Sequence, residues 1–434
     1  MNINILINKK IYLTPYNDVS INLEKNLEQK NISISGYIDK NKTGHNIFKE
    51  SEILDYDYII VASPNYWIEI TKNIKNKIKI ILFFSKLYNY MEYIQSLKEE
   101  IKYEKYDICF MPHNKAHALD LIPIIKQLQK TTTFNISFVD ITKRYRDEGA
   151  KKEILQSNIH YIHIDILRLN LVIPKMFICM NTWDKNIAKP LIEYYNKINV
   201  ITVGIIEGIT DFTDVDYISK RNVYQNVHYV FSTGKNDLQY LNKKNCFIVG
   251  IPKMLKLWNK NKIFPKKIVI VINLSFLGLT YNDYGSIWLN EVINTCNELN
   301  LDYIISKHPN DKTDTKNFNV TDKTIYEILD EGSLLVSRFS TTILESIALG
   351  KPAVYFKPQP EKTTLYDNNF GAFSIAYNKE ELKEKILYEL EHKDNVRERA
   401  NKFLDLQCNI NEQIKPEVLA TEYIREIIEV EEKK

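Results

Sequence analysis

Glycine is scarce in this chain: 12 in 434 residues, about 2.8% where an average chain has about 7%. Glycine is what lets a backbone pass close to a phosphate or take a positive φ. No G-x-G occurs anywhere, so the dinucleotide fingerprint G-x-G-x-x-G is absent. So is the P-loop G-x-x-x-x-G-K-[ST]. The two Gly-Lys pairs, Gly234-Lys235 and Gly350-Lys351, run into Asn236 and Pro352 instead of a hydroxyl. Simple NAD-dehydrogenase and P-loop NTPase functions are disfavoured on these grounds. Cysteine is also sparse. Cys109, Cys179, Cys246, Cys296 and Cys408 form no C-x-x-C and are odd in number, which suits reduced thiols in a cytoplasm rather than a disulfide frame. Neither sign of charge dominates: 58 basic and 55 acidic residues leave a net +3, too even to argue for a nucleic-acid partner. Long apolar runs are missing. The clearest, 268–272 and 80–84, fall far short of the roughly 18 residues needed to span a bilayer. Residues 2–7 read as a strand, so no secretory leader is expected.

Short apolar β-branched runs alternate with helical stretches along the whole chain. That alternation predicts an α/β protein built on parallel sheets. Three successive units are expected, over residues 1–98, 99–262 and 263–434. The first has strands predicted at 3–7, 32–38, 58–62 and 78–84, with helices at 20–29 and 67–75. The second has strands at 108–111, 135–140, 176–180, 200–206, 229–232 and 246–249. The third has strands at 268–273, 303–306, 334–337 and 353–356, and closes with helices that include 416–431. Ligands of such sheets bind at the carboxyl ends of the strands, so candidate residues are sought just after them.

The strongest such segment follows strand 334–337. Ser337, Arg338, Phe339, Ser340, Thr341 and Thr342 lead into a helix, with Glu345 expected in its first turn and Gly350 and Pro352 ending it. Hydroxyls at a helix N-terminus, next to the positive end of its dipole, are suited to phosphate. About thirty residues earlier, Lys307, His308, Pro309, Asn310 and Asp311 follow strand 303–306. Together the two segments could neutralise a diphosphate or phosphodiester and stabilise a departing nucleotide. Asn273 and Ser275, in the loop 273–278 after the first strand of the third unit, are further candidates for donor phosphate or acceptor. In the second unit, Glu207 follows strand 200–206 and Asp211 lies four residues on. Desolvation there would raise a carboxyl pKa and suit a general base. His113 and His117 flank Lys115 after strand 108–111 and suit acceptor contacts or proton transfer. Asp39 ends strand 32–38, where a turn-forming role is expected. His160 and His163, three apart on an apparent strand, face opposite sides, so no metal site is expected.

"SKHPND" followed by "SRFSTTILESIALGKPAVYF" resembles the C-terminal lobe of nucleotide-sugar-using GT-B proteins. These include hydrolysing UDP-N-acetylglucosamine 2-epimerases, bacterial surface-polysaccharide glycosyltransferases and CDP-glycerol glycerophosphotransferases. "HNKAHALDLIPIIKQL", "FICMNTWDKNIAKPLIEYY", "ITVGIIEGITDF" and "FIVGIPKM" extend the resemblance, so that it spans about 108–375. It implies two Rossmann-like lobes in GT-B arrangement. "GYIDKNKTG" and "YDYIIVASPNYWIEI" resemble a small Rossmann-like domain seen beside bacterial sugar-modifying enzymes, which would precede the lobes. By the resemblance Glu207 matches an active-site glutamate, and Glu361, in the loop 357–362, falls where the family contacts donor sugar or ribose. The sequence also departs from the epimerases. Asn181 stands where they have an acid, Phe339-Ser340 where they have a glycine pair, and Lys115 is the nearest residue to the arginine of their first loop. An amide cannot exchange a proton, which disfavours epimerisation.

The function implied is a metal-independent glycosyltransferase that moves a sugar from a nucleotide-activated donor to a growing bacterial surface polysaccharide or glycoconjugate. No cofactor beyond that co-substrate is expected. The expected partners are the donor and a saccharide or lipid-linked acceptor, with peripheral contact to the inner membrane face and a homo-oligomer as further options. The alternatives are a CDP-glycerol-type phosphotransferase and a UDP-N-acetylglucosamine 2-epimerase-like enzyme.

Overall fold

A computed structural model of the chain describes residues 2–141, 148–208, 224–241, 245–276, 284–308, 311–338, 340–359, 364–412 and 414–433. It contains three sheets, one in each expected segment. The first comprises β1 (Ile11–Thr14), β2 (Gly36–Ile38), β3 (Ile47–Phe48), β4 (Tyr58–Val61), β5 (Ile80–Phe83) and β6 (Leu87–Asn89), in the order β3-β2-β1-β4-β5-β6. Only the β5–β6 pairing is antiparallel among its strands. The second comprises β7 (Ile108–Met111), β8 (Ile136–Asp140), β9 (Tyr161–His163), β10 (Met176–Cys179), β11 (Ile201–Ile205), β12 (Tyr229–Ser232) and β13 (Cys246–Ile248), in the order β13-β12-β11-β10-β7-β8-β9. The third comprises β14 (Val269–Leu274), β15 (Asp302–Lys307), β16 (Leu334–Ser337), β17 (Ala353–Phe356) and β18 (Ser374–Ala376), all parallel, in the order β15-β14-β16-β17-β18.

The expected first strand is corrected. Residues 3–7 do not form one; Ile3–Leu6 is a 3-10 turn whose Asn2 side chain accepts the Asn4 N–H. Ile5 and Ile7 stay exposed while Leu6 is fully buried, so the Ile-x-Ile-x-Ile alternation never meets a sheet face. The strand comes later, where all four residues of Ile11–Thr14 are buried. Its exit, Pro15-Tyr16-Asn17, again has no glycine, and the next helix, Asp18–Glu28, is started by an Asn17–Ser20 capping box. Asp39 does end β2. Its carboxylate accepts the N–H groups of Tyr16, Asn41 and Lys42, and these bonds hold its pKa below the usual carboxylate value against the opposing effect of burial.

The lack of glycine is met by asparagine. Eight of the ten non-glycine residues at positive φ among the described residues are asparagines: 8, 31, 46, 158, 170, 199, 300 and 409. Six of these stand just beyond α-helix C-termini. Asparagine tolerates the left-handed conformation that ends a helix.

The chain forms two compact units. One holds Met1–Ala118, Thr133–Ile178 and Asp184–Ile201. Within it, a buried polar network ties the helix Tyr90–Glu99 to the end of β9. Tyr93 Oη donates to Asp165 at 2.7 Å, Arg168 reaches the other Asp165 oxygen at 3.3 Å, and Glu100 accepts the His163 N–H. His163 caps the helix Ile164–Arg168, accepting the Asp165 N–H, while the His160 ring stacks on Tyr106. The two imidazoles thus serve different neighbours.

The other unit holds Leu119–Thr132, Cys179–Trp183 and Thr202–Lys434. One apolar core runs from Ile206, Val230 and Met254 to Val271, Ile343, Ile347 and Phe403, and another gathers Ile270, Ile272, Trp288 and Phe356. The last helix, Pro416–Glu431, lies on β12 and β13: Tyr229 donates to Glu431 and the Phe247 and Tyr423 rings are 4.6 Å apart.

Asp237 is fully buried in this unit, with one oxygen accepting from Thr233 and Gly234 and the other without a hydrogen-bond partner among the described residues. Burial pushes its pKa up to about 6 from 3.8, against those hydrogen bonds. The folded state therefore keeps a proton that the unfolded state has released, and this contribution to stability grows as pH falls from 6 towards 4. Asp237→Asn should remove the slope. Its melting temperature should exceed that of the parent at pH 7.5, by up to about 3 kcal/mol in stability, and the gap should close near pH 4. A melting series across that range checks it; equal parent and variant slopes would contradict it.

Candidate active site

In the third sheet β15, β14, β16 and β17 are neighbours and parallel. Their exits therefore share one edge. It carries Ser275 after β14, His308 after β15, Arg338, Ser340 and Thr341 after β16, and Lys357 and Gln359 after β17. Asn273 and Ser337 face each other in register, and the Asn273 amide donates to Ser337 Oγ at 2.9 Å. Asn273 is buried, so the pair stitches strands together below the edge. Ser275 is half-buried. His308 is exposed and its N–H bonds the Leu274 carbonyl; desolvation still lowers its ring pKa, opposed by the Asp311 carboxylate.

Ser340 is the N-cap of the helix Thr341–Ala348: its Oγ accepts the Thr342 N–H and donates to Thr342 Oγ1. Thr341 is half-buried and Thr342 buried. The structure places three more candidates of this region and corrects the first-turn position of one, Glu345. Arg338 does not project from the turn; it is 1% exposed, with its guanidinium 4.5 Å over the Phe276 ring. Lys307 does not stand open at the edge; its ammonium bonds the Thr313 carbonyl at 2.5 Å and Thr315 Oγ1 at 3.5 Å. Glu345 is not in the first helical turn but fifth in the helix, and buried.

What holds Glu345 is set by distant segments. Lys253 lies 3.3 Å from Glu345 and 3.7 Å from Asp120, and Tyr326 Oη donates to Glu345 at 3.2 Å. Four helices supply this cluster: Lys115–Thr131, Pro252–Trp258, Ile325–Glu331 and Thr341–Ala348. Burial alone would lower the Lys253 pKa, but the two carboxylates outweigh it and hold it above the usual lysine range. Burial, and then the Glu345 charge, push the Tyr326 hydroxyl up. One sequence signal points to the cluster. Lys253 is the second residue of its helix, with no acid in the first turn, a place where the helix dipole disfavours a cation. Carboxylates from elsewhere must compensate.

Glu207 is half-buried just past β11. With Asp120, Met180, Gly250 and Pro252 it lines a small pocket. A Cβ added at Gly208 would lie 2.9 Å from Thr341 Cγ2. The exit of β11 therefore abuts the start of the Thr341–Ala348 helix. Asn181, after β10, keeps its Oδ1 buried and without a hydrogen-bond partner among the described residues, as does the Gln359 Oε1 after β17.

In the compact unit that holds Met1–Ala118, His113 and His117 are buried. His113 Nε2 stands 3.6 Å from Asp184, a residue that also accepts N–H groups at the start of the helix Ala188–Lys197; Lys115 pairs with Glu153. A larger cleft in that unit, of about 1120 Å³, is lined by Asp39, Lys49, Tyr56 and Glu69 among others. The Asp39 carboxylate and Lys49 ammonium there are spent on the backbone of the loop 39–49, so chemistry rather than size locates the candidate site in the compact unit that holds Thr202–Lys434. Asp211, Glu361, Pro309, Asn310, Phe339 and Gly278 lie outside the described residues. Among the described residues no three His, Cys, Asp or Glu are grouped to hold a metal ion, and no helix is long and apolar enough to cross a membrane.

No family model matches the chain, and no curated protein matches it in sequence. Solved structures do match. Methanocaldococcus jannaschii UDP-GlcNAc 2-epimerase, in complex with UDP-GlcNAc and UDP, is 14% identical, with 74% of this chain and 99% of that chain covered at a TM-score of 0.53. S. aureus MnaA, in a co-structure with UDP, is 12% identical over 75% and 96%, at 0.52. At such identities the likeness speaks for the fold alone, and the chain has the GT-B-like, Rossmann-type α/β fold of these proteins.

Proposed function

We propose that this protein is a glycosyltransferase that takes a nucleotide-activated sugar as donor and a saccharide or lipid-linked saccharide as acceptor. One observation carries the reading. The acid-bearing exit of β11 and the hydroxyl turn before Thr341–Ala348, more than 130 residues apart in the chain, abut at Gly208 and Thr341. Glu207 then serves as general base. It takes the proton of the acceptor hydroxyl as that oxygen bonds to the anomeric carbon, and the nucleotide leaves with the electron pair of the broken C–O bond, in an inverting course. The charge on the departing phosphate falls near the helix N-terminus, the Thr341 hydroxyl and His308. Asn181 and Gln359 offer acceptor oxygens to sugar hydroxyls. The segments 1–98, 99–262 and 263–434 serve as accessory domain, acceptor lobe and donor lobe in this reading; each containing one sheet supports it.

A thermal-shift series with UDP-, CDP-, GDP- and CMP-linked sugars tests the donor class. One nucleotide family should raise the melting temperature, and a flat series would overturn the reading. A second reading is 2-epimerisation, the reaction in the name of the Methanocaldococcus jannaschii neighbour. Incubation with UDP-N-acetylglucosamine alone, followed by NMR, separates them: a 2-epimer formed without acceptor would replace transfer by epimerisation. Asn181, an amide where an acid is needed, speaks for no such product.

A further inference from the structure

Tyr224 is buried to 1% exposure, yet holds φ at +59°. A bulky side chain keeps left-handed backbone only where its surroundings over-determine it. Its surroundings do so from three sides. Its N–H donates to Thr182 Oγ1 at 3.1 Å, on the loop after β10, and the Asn226 amide bonds the Thr182 carbonyl from the same stretch of chain. The ring meets Trp183 edge-on at 5.6 Å. It also packs on Gly204 in β11, where a Cβ would come within 2.7 Å of Tyr224 Cδ1. None of these contacts uses the hydroxyl. That group accepts the Glu207 N–H at 3.0 Å. The Ile206 N–H bonds the Phe231 carbonyl of β12, and at the next residue the Tyr224 hydroxyl takes the Glu207 N–H.

We propose that Tyr224 is a positioning residue: its hydroxyl anchors the Glu207 backbone beyond the end of the sheet, so that the carboxylate is presented at the start of the Thr341–Ala348 helix. This rests on the reading of Glu207 as general base. The strained backbone and the ring contacts hold the hydroxyl; the hydroxyl holds Glu207.

Tyr224→Phe tests it, because it keeps the ring and the backbone bond to Thr182 and removes the hydroxyl that accepts the Glu207 N–H. Amide exchange at Glu207 should quicken about tenfold, with exchange across 202–205 and the melting temperature unchanged. Turnover, read as nucleotide release from the donor that gives the largest thermal shift above, should fall about five- to tenfold, the worth of one hydrogen bond. The donor KM should hold. Unchanged exchange at Glu207 or unchanged turnover would overturn the proposal. So would a joint loss of turnover, donor affinity and melting temperature, which would mark Tyr224 as support for the fold only. Glu207→Gln in the same assay keeps the two ideas apart. If it turns over like the parent, the general-base reading fails; if it is inactive while Tyr224→Phe is not impaired, the anchor alone fails.

Discussion

Glu207→Gln should lower turnover by about 10²–10⁴-fold, the usual contribution of a positioned general base, while nucleotide affinity stays within about twofold. The two effects separate because the groups are separate. Donor phosphates are assigned to the Thr341–Ala348 helix start and His308, whereas Glu207 comes from the exit of β11. Glutamine keeps the size and polarity of glutamate, and the backbone N–H bond to Tyr224 is untouched, so the local fold should persist. Single-turnover nucleotide release with acceptor present, beside nucleotide binding by calorimetry, measures both. Full turnover in the variant would remove Glu207 from the chemistry. Loss of nucleotide affinity would instead assign Glu207 to the donor.

Lys253→Met should cost about 3–5 kcal/mol of stability, because it strands the Asp120 and Glu345 carboxylates without their shared cation. For a unit of this size that is a fall in melting temperature of roughly 10 °C. The carboxylates are well sheltered, at 11% and 6% side-chain exposure, and Lys253 itself is 26% exposed. The raised Lys253 pKa gives the sign with pH. The stabilisation from its protonated form is complete below the usual lysine value and fades only as pH rises through the still higher folded value, so it is flat through neutrality. Adding Glu345→Gln should recover part of the loss, since one stranded charge is then gone. A double-mutant cycle by thermal and urea denaturation measures the coupling. Additive losses would mean that the two side chains do not interact.

Much of the frame is legible in the sequence. Strands 108–111, 229–232, 334–337 and 353–356 are expected where the structure has them, because apolar β-branched runs bounded by turn residues announce buried parallel strands. Residues 3–7 mislead because alternation reads the same whether or not a sheet face is there to receive it; Ile5 and Ile7 point to solvent. The candidate site is legible as positions and less so as roles. Ser340 and Thr341 stand at a helix start as expected. Arg338, Lys307 and Glu345 read as donor contacts from their places after strand ends and at a helix start, and that reading does not reveal the groups they meet, at Phe276, Thr313 and Lys253.

The sequence by itself determined the local grammar: alternating strands and helices, polar turns at strand exits, and a backbone with almost no glycine to wrap a phosphate. Tertiary structure decided which polar side chains are spent inside the protein. Tyr224 carries no motif, yet its hydroxyl reaches Glu207; Lys253 follows a proline without remark, yet sits between two acids. Local pattern depends on neighbours in the chain, and is written there. Burial and ion pairing depend on neighbours in space, and only the folded chain supplies those.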